Sequence, residues 1–542
     1  MSKKNRNRQL TKNKQRSMGV YNAPKILNTG FSETSASTTR SSLAGWNPVA
    51  SSPDSDIIAN LPTLRARSRN LRQGGAPLAS AAVNVERLNV VGSGLSLSAK
   101  PDKSILGLKD EEAKEWGRKT QKEFDLWASS VKCDFLRINN FYDMQDIVFT
   151  GYLDNGDGWA VFKYAMPTPD MPYSLRLHVF EADRVRNPNN PSSLFGSPTL
   201  VYDINSKNKN RIIDGVEIDK NGTIVAYWVA NTYSYDPTNF YKETKFIRVE
   251  AFGKQTGLPN ILQIKHDERA EQFRGTPFLA PIIESLKQIG RYTQAELTAA
   301  IVKAYLTIFI RQDLGADGFG TGLEQSFEER ERIDPRKLQV GPGTINTLPP
   351  GYSVSTVDGS RSMSAFEPFM SELTKGIGAS LNIPYEILTK HFSSSYSASR
   401  AALLQSWQEF RTRRSWFIRD FCQNVYERWL VEAIAIGRID APGFFEDPLI
   451  RAAWSKCSWY GPVPGQVDPE KEVRAAALRV SYGFSTNEEE TRGMGGGDWQ
   501  DNIEIIAQEQ KLLKDKELVT RAIPQTLENT AEGGDNIEDL DS

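Results

Sequence analysis

The 542 residues contain no Gly-x-x-x-x-Gly-Lys-Ser/Thr run, so the loop whose amides cradle the phosphates of ATP is missing. Gly253-Lys254-Gln255-Thr256-Gly257 has its letters in the wrong order, and Gly493-Met494-Gly495-Gly496-Gly497 has no lysine behind it. Histidine is nearly as scarce: His178, His266 and His391 are the only three, too little material for a Ser-His-Asp triad or a histidine metal centre. His178 alternates inside a strand-like run and reads as a packed ring, while His266 reads as a strand end. Cys133, Cys422 and Cys457 lie far apart with no Cys-x-x-Cys pair, which argues against a disulfide framework or a structural zinc and fits a reducing compartment. The most apolar run, Ala299 to Ile310, is too short for a bilayer and is interrupted by Lys303. No apolar stretch follows the basic start, so no secretory signal is expected. With 66 Lys plus Arg against 67 Asp plus Glu, a net charge of -1, the chain as a whole is no polyanion binder. The expectation is a soluble protein without cofactor, metal or membrane contact.

What charge there is sits at the ends. Lys3, Lys4, Arg6, Arg8, Lys12, Lys14 and Arg16 open the chain, and Glu528, Glu532, Asp535, Glu538, Asp539 and Asp541 close it. Both read as solvated tails, with a nucleic-acid contact of the basic one as the weaker alternative. Between them the period of the apolar residues changes twice. Helices are predicted around Pro62, stopping at Gly74-Gly75, from Pro77 to Val91, and over Asp110 to Ser130, where Trp116, Phe124 and Trp127 share a face. From Asp154 to about residue 265 the pattern is β: Asp154 to Gly158 reads as a hairpin turn, better than as the calcium loop it partly resembles. Arg211 to Ile218 reads as one strand, joined through an Asn221-Gly222 turn to Thr223 to Ala230. Helix returns after Pro277, with Ile282, Leu286, Ile289, Leu297, Ile301, Ala304 and Ile308 at helical spacing. It appears again near Ser364 to Leu381, after Pro469, and at Thr486, whose Thr-x-x-Glu is a capping box.

The longest helical signal is Tyr396 to Gly437, free of Gly and Pro up to its last residue. Leu403, Trp407, Phe410, Phe417, Phe421, Val425 and Trp429 fall three, four or seven apart and must bury against something. Arg411, Arg413, Arg419 and Glu427 mark the opposite, charged face. The stripe serves a core or a subunit seam.

Four segments in order, Arg274 to Ala300, Ile383 to Thr389, Tyr396 to Arg414 and Val467 to Ala476, resemble the lambda-type family of tailed-phage portal proteins. Ser41 to Pro48, Leu61 to Gln73 and Val179 to Val185 resemble that family's N-terminal half, so the likeness runs from about residue 41 to about 513. Many relatives have an acidic residue where this chain has Lys390 or His391. The resemblance implies an α+β fold: a mixed α/β wing, a helical stem, a small α/β clip and a helical crown, assembled as a ring of about twelve copies with closed symmetry. The implied boundaries are an arm over 1–60, the wing over 61–275, a helix leading into the stem over 276–311 and the clip over 312–360. A second stem helix follows over 361–384, then a tunnel loop over 385–397, a long helix and return over 398–460, crown helices over 461–520 and an acidic tail over 521–542.

The implied function is a channel at one capsid vertex of the virion, formed during assembly in the host cytoplasm, through which double-stranded DNA is packaged and ejected. Its implied partners are the large terminase subunit, the major capsid protein and scaffold, and head-completion or tail-adaptor proteins. A passage for DNA must touch phosphates weakly, since a ring multiplies every basic residue by its copy number. Lys375, Lys390, His391, Ser393, Ser394 and Ser395 are the candidates for its lining, although the serines read equally as a loop before a helix cap. Glu324, Glu328, Glu329, Arg330 and Arg332 are the terminase-facing candidates, with a solvated helix face as the alternative. Leu403, Trp407, Phe410, Phe417, Phe421 and Trp429 are assigned to packing. The competing function is a DNA-processing enzyme of the packaging pathway, a nuclease or motor subunit, which a carboxylate-only metal site would permit.

Overall fold

The computed structural model describes residues 35, 40–43, 45–46, 48–188, 202–233, 243–304, 308–312, 352–356, 366–392, 396–465, 469–495, 497 and 499–516. Met1–Ser52 forms a unit apart from Pro53–Ser542. Its described part is a short turn, in which Leu43 N–H donates to Arg40 C=O and Trp46 N–H to Leu43 C=O.

The second unit begins with α1 (Pro53–Ile57), α2 (Leu61–Asn70), a π-helical turn (Leu71–Gly75) and α3 (Pro77–Val90). Pro62 sits in the first turn of α2, and Gly74 (φ 156°) ends the π turn, as the sequence predicts. β1 (Ser96–Ala99), α4 (Lys103–Leu106), α5 (Asp110–Ala128) and α6 (Phe141–Asn155) follow. α6 is a helix that sequence periodicity did not single out. Asn140 caps it in a capping box with Asp143, and Gly156 in the left-handed region (φ 86°) closes it. The stretch Asp154 to Gly158 is therefore a helix end running into a strand, and the hairpin-turn reading of it is corrected.

Two antiparallel sheets come next. β2 (Gly158–Tyr164), β3 (Leu175–Glu181) and β9 (Ile261–Ile264) form one in the order β3-β2-β9. β4 (Tyr202–Ile204), β5 (Arg211–Ile213), β6 (Val216–Ile218), β7 (Ile224–Ala230) and β8 (Phe246–Glu250) form the other as a meander. The run Arg211 to Ile218, read as one strand, is itself a hairpin. Asp214 and Gly215 both take positive φ (43° and 85°), the Asp-Gly signature of a two-residue turn. The Asn221-Gly222 turn joins β6 to β7 as predicted. Trp159, Val161, Phe180, Ile213 and Tyr227 make a separate small core in this β region.

A second, larger core collects the helices. α7 (Ile283–Ala304) leads to β10 (Ile308–Gln312), so Ile308, read as a helical position, belongs to a strand instead; β10 pairs with β11 (Tyr352–Thr356), and α8 (Phe366–Leu381) returns. α9 (Tyr385–Thr389), α10 (Tyr396–Phe417), a π turn (Ile418–Cys422) and α11 (Gln423–Ala435) carry the aromatic stripe. The stripe runs four by four from Phe417 to Trp429, faster than an α-helix turns, and the extra residue of the π turn takes up the drift. Gly437 (φ 75°) ends the run in a Schellman motif, with Arg438 N–H bonded to Ala433 C=O and Gly437 N–H to Ile434 C=O. α12 (Pro448–Trp454), β12 (Cys457–Tyr460), α13 (Pro469–Ser481), α14 (Asn487–Gly493) and α15 (Trp499–Asp515) complete the chain. β12 pairs with β1, and Thr486 forms the predicted capping box with Glu489. Among the described residues no helix is long and apolar enough to cross a membrane, and no group of three His, Cys, Asp or Glu is placed to hold a metal.

Candidate functional site

α7 and α8 pack on each other through Tyr292, whose ring stacks on Phe366 at 5.5 Å and meets Phe369 edge-on at 5.0 Å. Their burial is graded. Ile282 just before α7, Leu286 and Ile289 at its start, and Ile377 and Leu381 at the end of α8 are in the large core, whereas Leu297 (54% exposed), Ile301 (47%) and Phe369 (48%) are open. The helical pair is rooted at one end and leaves apolar residues uncovered at the other.

α8 ends sharply. Asn382 takes the left-handed conformation (φ 57°), with Asn382 N–H on Ala379 C=O and Ile383 N–H on Gly378 C=O. Gly378 is required because a Cβ there would lie 2.4 Å from the Ile383 carbonyl oxygen. The segment read as a tunnel loop begins as helix α9 and turns at Lys390, also left-handed (φ 56°). Lys390, His391 and Phe392 are exposed. Lys375 is exposed on α8 and bonds Glu372 at 2.6 Å, and that hydrogen bond raises its pKa above the ordinary lysine value. Ser393, Ser394 and Ser395 lie outside the described residues, as do Glu324, Glu328, Glu329, Arg330 and Arg332. Of the channel candidates that are described, Lys375 and Lys390 stand on different elements.

Of the stripe, Trp407, Phe410, Phe417, Phe421 and Trp429 are buried, and Leu403 is half-buried against the same core. The charged face of that helix does not all point outward. Arg413 pairs with buried Glu86 of α3 at 2.7 Å and with Glu409 at 2.8 Å, and lies over the Phe278 ring. Burial lifts the Glu86 pKa to about 7, Arg413 offsetting only part of that. Arg414 donates to the carbonyls of Asn89 and Val90, capping the C-terminal end of α3, and burial next to Arg411 lowers its pKa to about 10.

A second constellation escaped the sequence reading. Asp157 Oδ2 accepts from Arg274 Nε at 2.7 Å and from Arg65 at 2.9 Å, while its Oδ1 accepts from Gly275 N–H at 2.9 Å and Gln263 at 3.1 Å. Arg274 also bonds Asp214 at 2.7 Å and the carbonyls of Val185 and Ala182. Arg274 and Asp157 are wholly buried. Burial alone would raise the Asp157 pKa, but Arg274 and Arg65 outweigh it and hold the carboxyl below its usual value. Gly275 and Gly156 sit back to back: a Cβ on Gly275 would lie 2.0 Å from the Gly156 oxygen. The cluster fastens α2, the end of α6, both sheets and the approach to α7 at one point. The signal in the sequence is the Arg-Gly-Thr-Pro run at Arg274 to Pro277, an arginine set between a β region and a helix start.

Residues 39–414 match the model of phage portal proteins of the lambda family. Portal protein B of Escherichia phage lambda is 26% identical over 486 residues, covering 86% of each chain, and the portal protein of Escherichia phage N15 is 26% identical over 487 residues, covering 86% of this chain and 87% of its own. Among solved structures, a chain from the neck of a native gene transfer agent particle aligns with a TM-score of 0.39 at 14% identity, covering 80% of this chain and 98% of its own. The fold is of the mixed α+β class throughout, and what the matched family defines is a structural component of the phage particle rather than an enzyme. The chain belongs to the lambda family of phage portal proteins. The reading as a nuclease or motor subunit is set aside with that assignment.

Proposed function

We propose that copies of this chain close into a ring of about twelve at a single capsid vertex, each copy offering two different faces to its neighbours, and that double-stranded DNA enters and leaves through the central channel. The observation that carries this reading is the lambda-family portal match over residues 39–414. The rooted helical pair α7 and α8 supports it, because Leu297, Ile301 and Phe369 are uncovered in one copy and gain cover when like pairs stand side by side. In this reading α7 and α8 are the stem, residues 312–360 the clip and 385–397 the tunnel loop. Lys375, Lys390, His391, Ser393, Ser394 and Ser395 touch phosphates without sequence readout. Glu324, Glu328, Glu329, Arg330 and Arg332 meet the large terminase subunit, which supplies the ATP hydrolysis for which this chain has no phosphate loop. Assembly takes place in the host cytoplasm with capsid protein and scaffold, and head-completion proteins replace the terminase afterwards. Light scattering of the purified chain followed by averaged electron images tests the reading. A closed ring with a hole wide enough for duplex DNA is expected; failure to form rings even with scaffold present overturns it.

A further inference from the structure

α15 is 17 residues long, and none of its described residues is buried; residues 503–512 are exposed throughout. A helix of that length draws most of its stability in a folded protein from a buried apolar face rather than from propensity. Here the face laid on the body is the polar one. Glu504 bonds Arg118 of α5 at 2.6 Å, and Gln500, one turn earlier, lines a recess with Gly117 and Arg118. Ile506, two residues past Glu504, is on the opposite side of the helix, with Ile503 next to it at i, i+3. Ile503 is 46% exposed, Ile505 52%, Ile506 40% and Leu512 60%. The amphipathic order of a surface helix is thus reversed, with its apolar stripe turned to solvent.

The turn between α13 and α14 carries a feature that matches it. α13 ends in a Schellman motif, Phe484 N–H on Arg479 C=O at 2.9 Å and Gly483 N–H on Val480 C=O at 3.0 Å, with Gly483 left-handed (φ 72°). Arg479 Nε donates to Glu490 of α14 at 2.7 Å, and the Thr486 capping box ties the other side of the turn. So fastened, the turn holds Tyr482 and Phe484 out at 72% and 81% exposure, their rings 6.2 Å apart. Two aromatic rings held in water gain nothing for a single copy, whereas such side chains on an ordered turn are what anchors a protein interface. Charge runs the same way. Among the described residues Glu489, beside this knob, has no basic partner, and Lys514, three turns past Ile503 on the same side of α15, has no acidic one.

We propose that the Tyr482 and Phe484 knob of one copy seats on the Ile503 and Ile506 stripe of α15 in the next copy, with Glu489 of the first facing Lys514 of the second. That the occupant is another copy rests on the ring reading above. A neighbouring copy covers both features at once, whereas partners of another kind would have to supply two separate covers. Knob and stripe are unlike faces of one chain, so their contact repeats from copy to copy and is complete only when a ring closes. One such seam buries on the order of 700 Å² of apolar side chain, under half of a standard-size interface. It therefore adds to the contact of α7 and α8 rather than replacing it.

The test is a cross-link between copies. Phe484→Cys and Ile506→Cys are made singly in the full chain, the two proteins are mixed before assembly, and a short thiol-bridging reagent is added. Links joining positions 484 and 506 are expected from the mixture and from neither variant alone, with peptide mapping separating them from links to the half-buried Cys457. Light scattering on the same samples reports ring formation independently. Rings without such links, or with links in either variant alone, overturn the seam while the ring reading stands; no rings from the unsubstituted chain with scaffold overturn that reading and the seam with it. Hydrogen exchange needs no cysteine. Amides of residues 503–512 should exchange roughly tenfold more slowly in rings than in single copies, and equal exchange in the two leaves α15 to some other component and overturns the seam. Tyr482→Ser with Phe484→Ser should raise the concentration for half-assembly about tenfold with the melting curve of single copies unchanged. Rings of undiminished strength from that variant also overturn it.

Discussion

The junction around Asp157 and the helical pair α7 and α8 are neighbours in sequence and opposites in design. At the junction the carboxylate of Asp157 takes four hydrogen bonds and Arg274 is wholly buried, all from within one copy. A few turns on, Leu297 and Ile301 stand open to solvent. The first region is finished by the chain alone; the second, on the ring reading proposed above, is left for other copies to finish. On that reading the two regions should respond to substitution in opposite ways.

The largest effect is expected at the junction. Arg274→Ala strands the Asp157 charge without its strongest partner, and breaking one side of a buried pair typically costs about 3–5 kcal/mol; urea unfolding of the full chain measures it. Next comes a pH effect at the second buried pair. Because the folded pKa of Glu86 is about 7 against an ordinary value near 4.5, the native state holds the extra proton between those values. Stability is therefore full below about pH 4.5 and falls as pH rises through 7, by about 3 kcal/mol. Glu86→Gln should flatten the unfolding free energy over pH 5 to 8, and an unchanged slope would sink this assignment. Gly275→Ala is expected to cost about 1–3 kcal/mol by overpacking against the Gly156 carbonyl, visible as a lowered melting temperature. The smallest change in folding stability, within about 0.5 kcal/mol, is expected for Leu297→Asp with Ile301→Asp, yet light scattering should then find single copies in place of rings. If that double variant melts early instead, the contrast between the two regions fails.

Local signals carried much of the fold. Pro62, Gly437, the Thr486 capping box and the Asn221-Gly222 turn act within a few residues of themselves, and each starts, ends or turns an element where the sequence says it should. The aromatic stripe from Trp407 to Trp429 is likewise buried as its spacing requires. What escaped depends on residues distant in sequence. Asp157 is 92 residues from Arg65 and 117 from Arg274, so nothing near Asp157 distinguishes a clamp from a turn. The helical angle puts Arg413 on the charged face opposite the stripe, but Glu86 of α3 draws it inward. Channel candidates are less legible still. A serine run or an exposed lysine is chosen by what stands opposite it in an assembly, and that is not written in its own neighbourhood.

The short ladder between β1 and β12 sets a clock. Ser96 to Ala99 pair with Cys457 to Tyr460, and Asp102 is bound by Lys456 354 residues later. A ribosome adding about 5–20 residues per second leaves β1 without its partner for about 20–70 s, during which the segments that form α7 and α8 have already emerged. The nascent chain thus presents Leu297 and Ile301 of α7 before β1 and β12 pair. If copies close into a ring as proposed, the arrival of β12 sets the earliest moment at which one can join with its β1–β12 ladder closed.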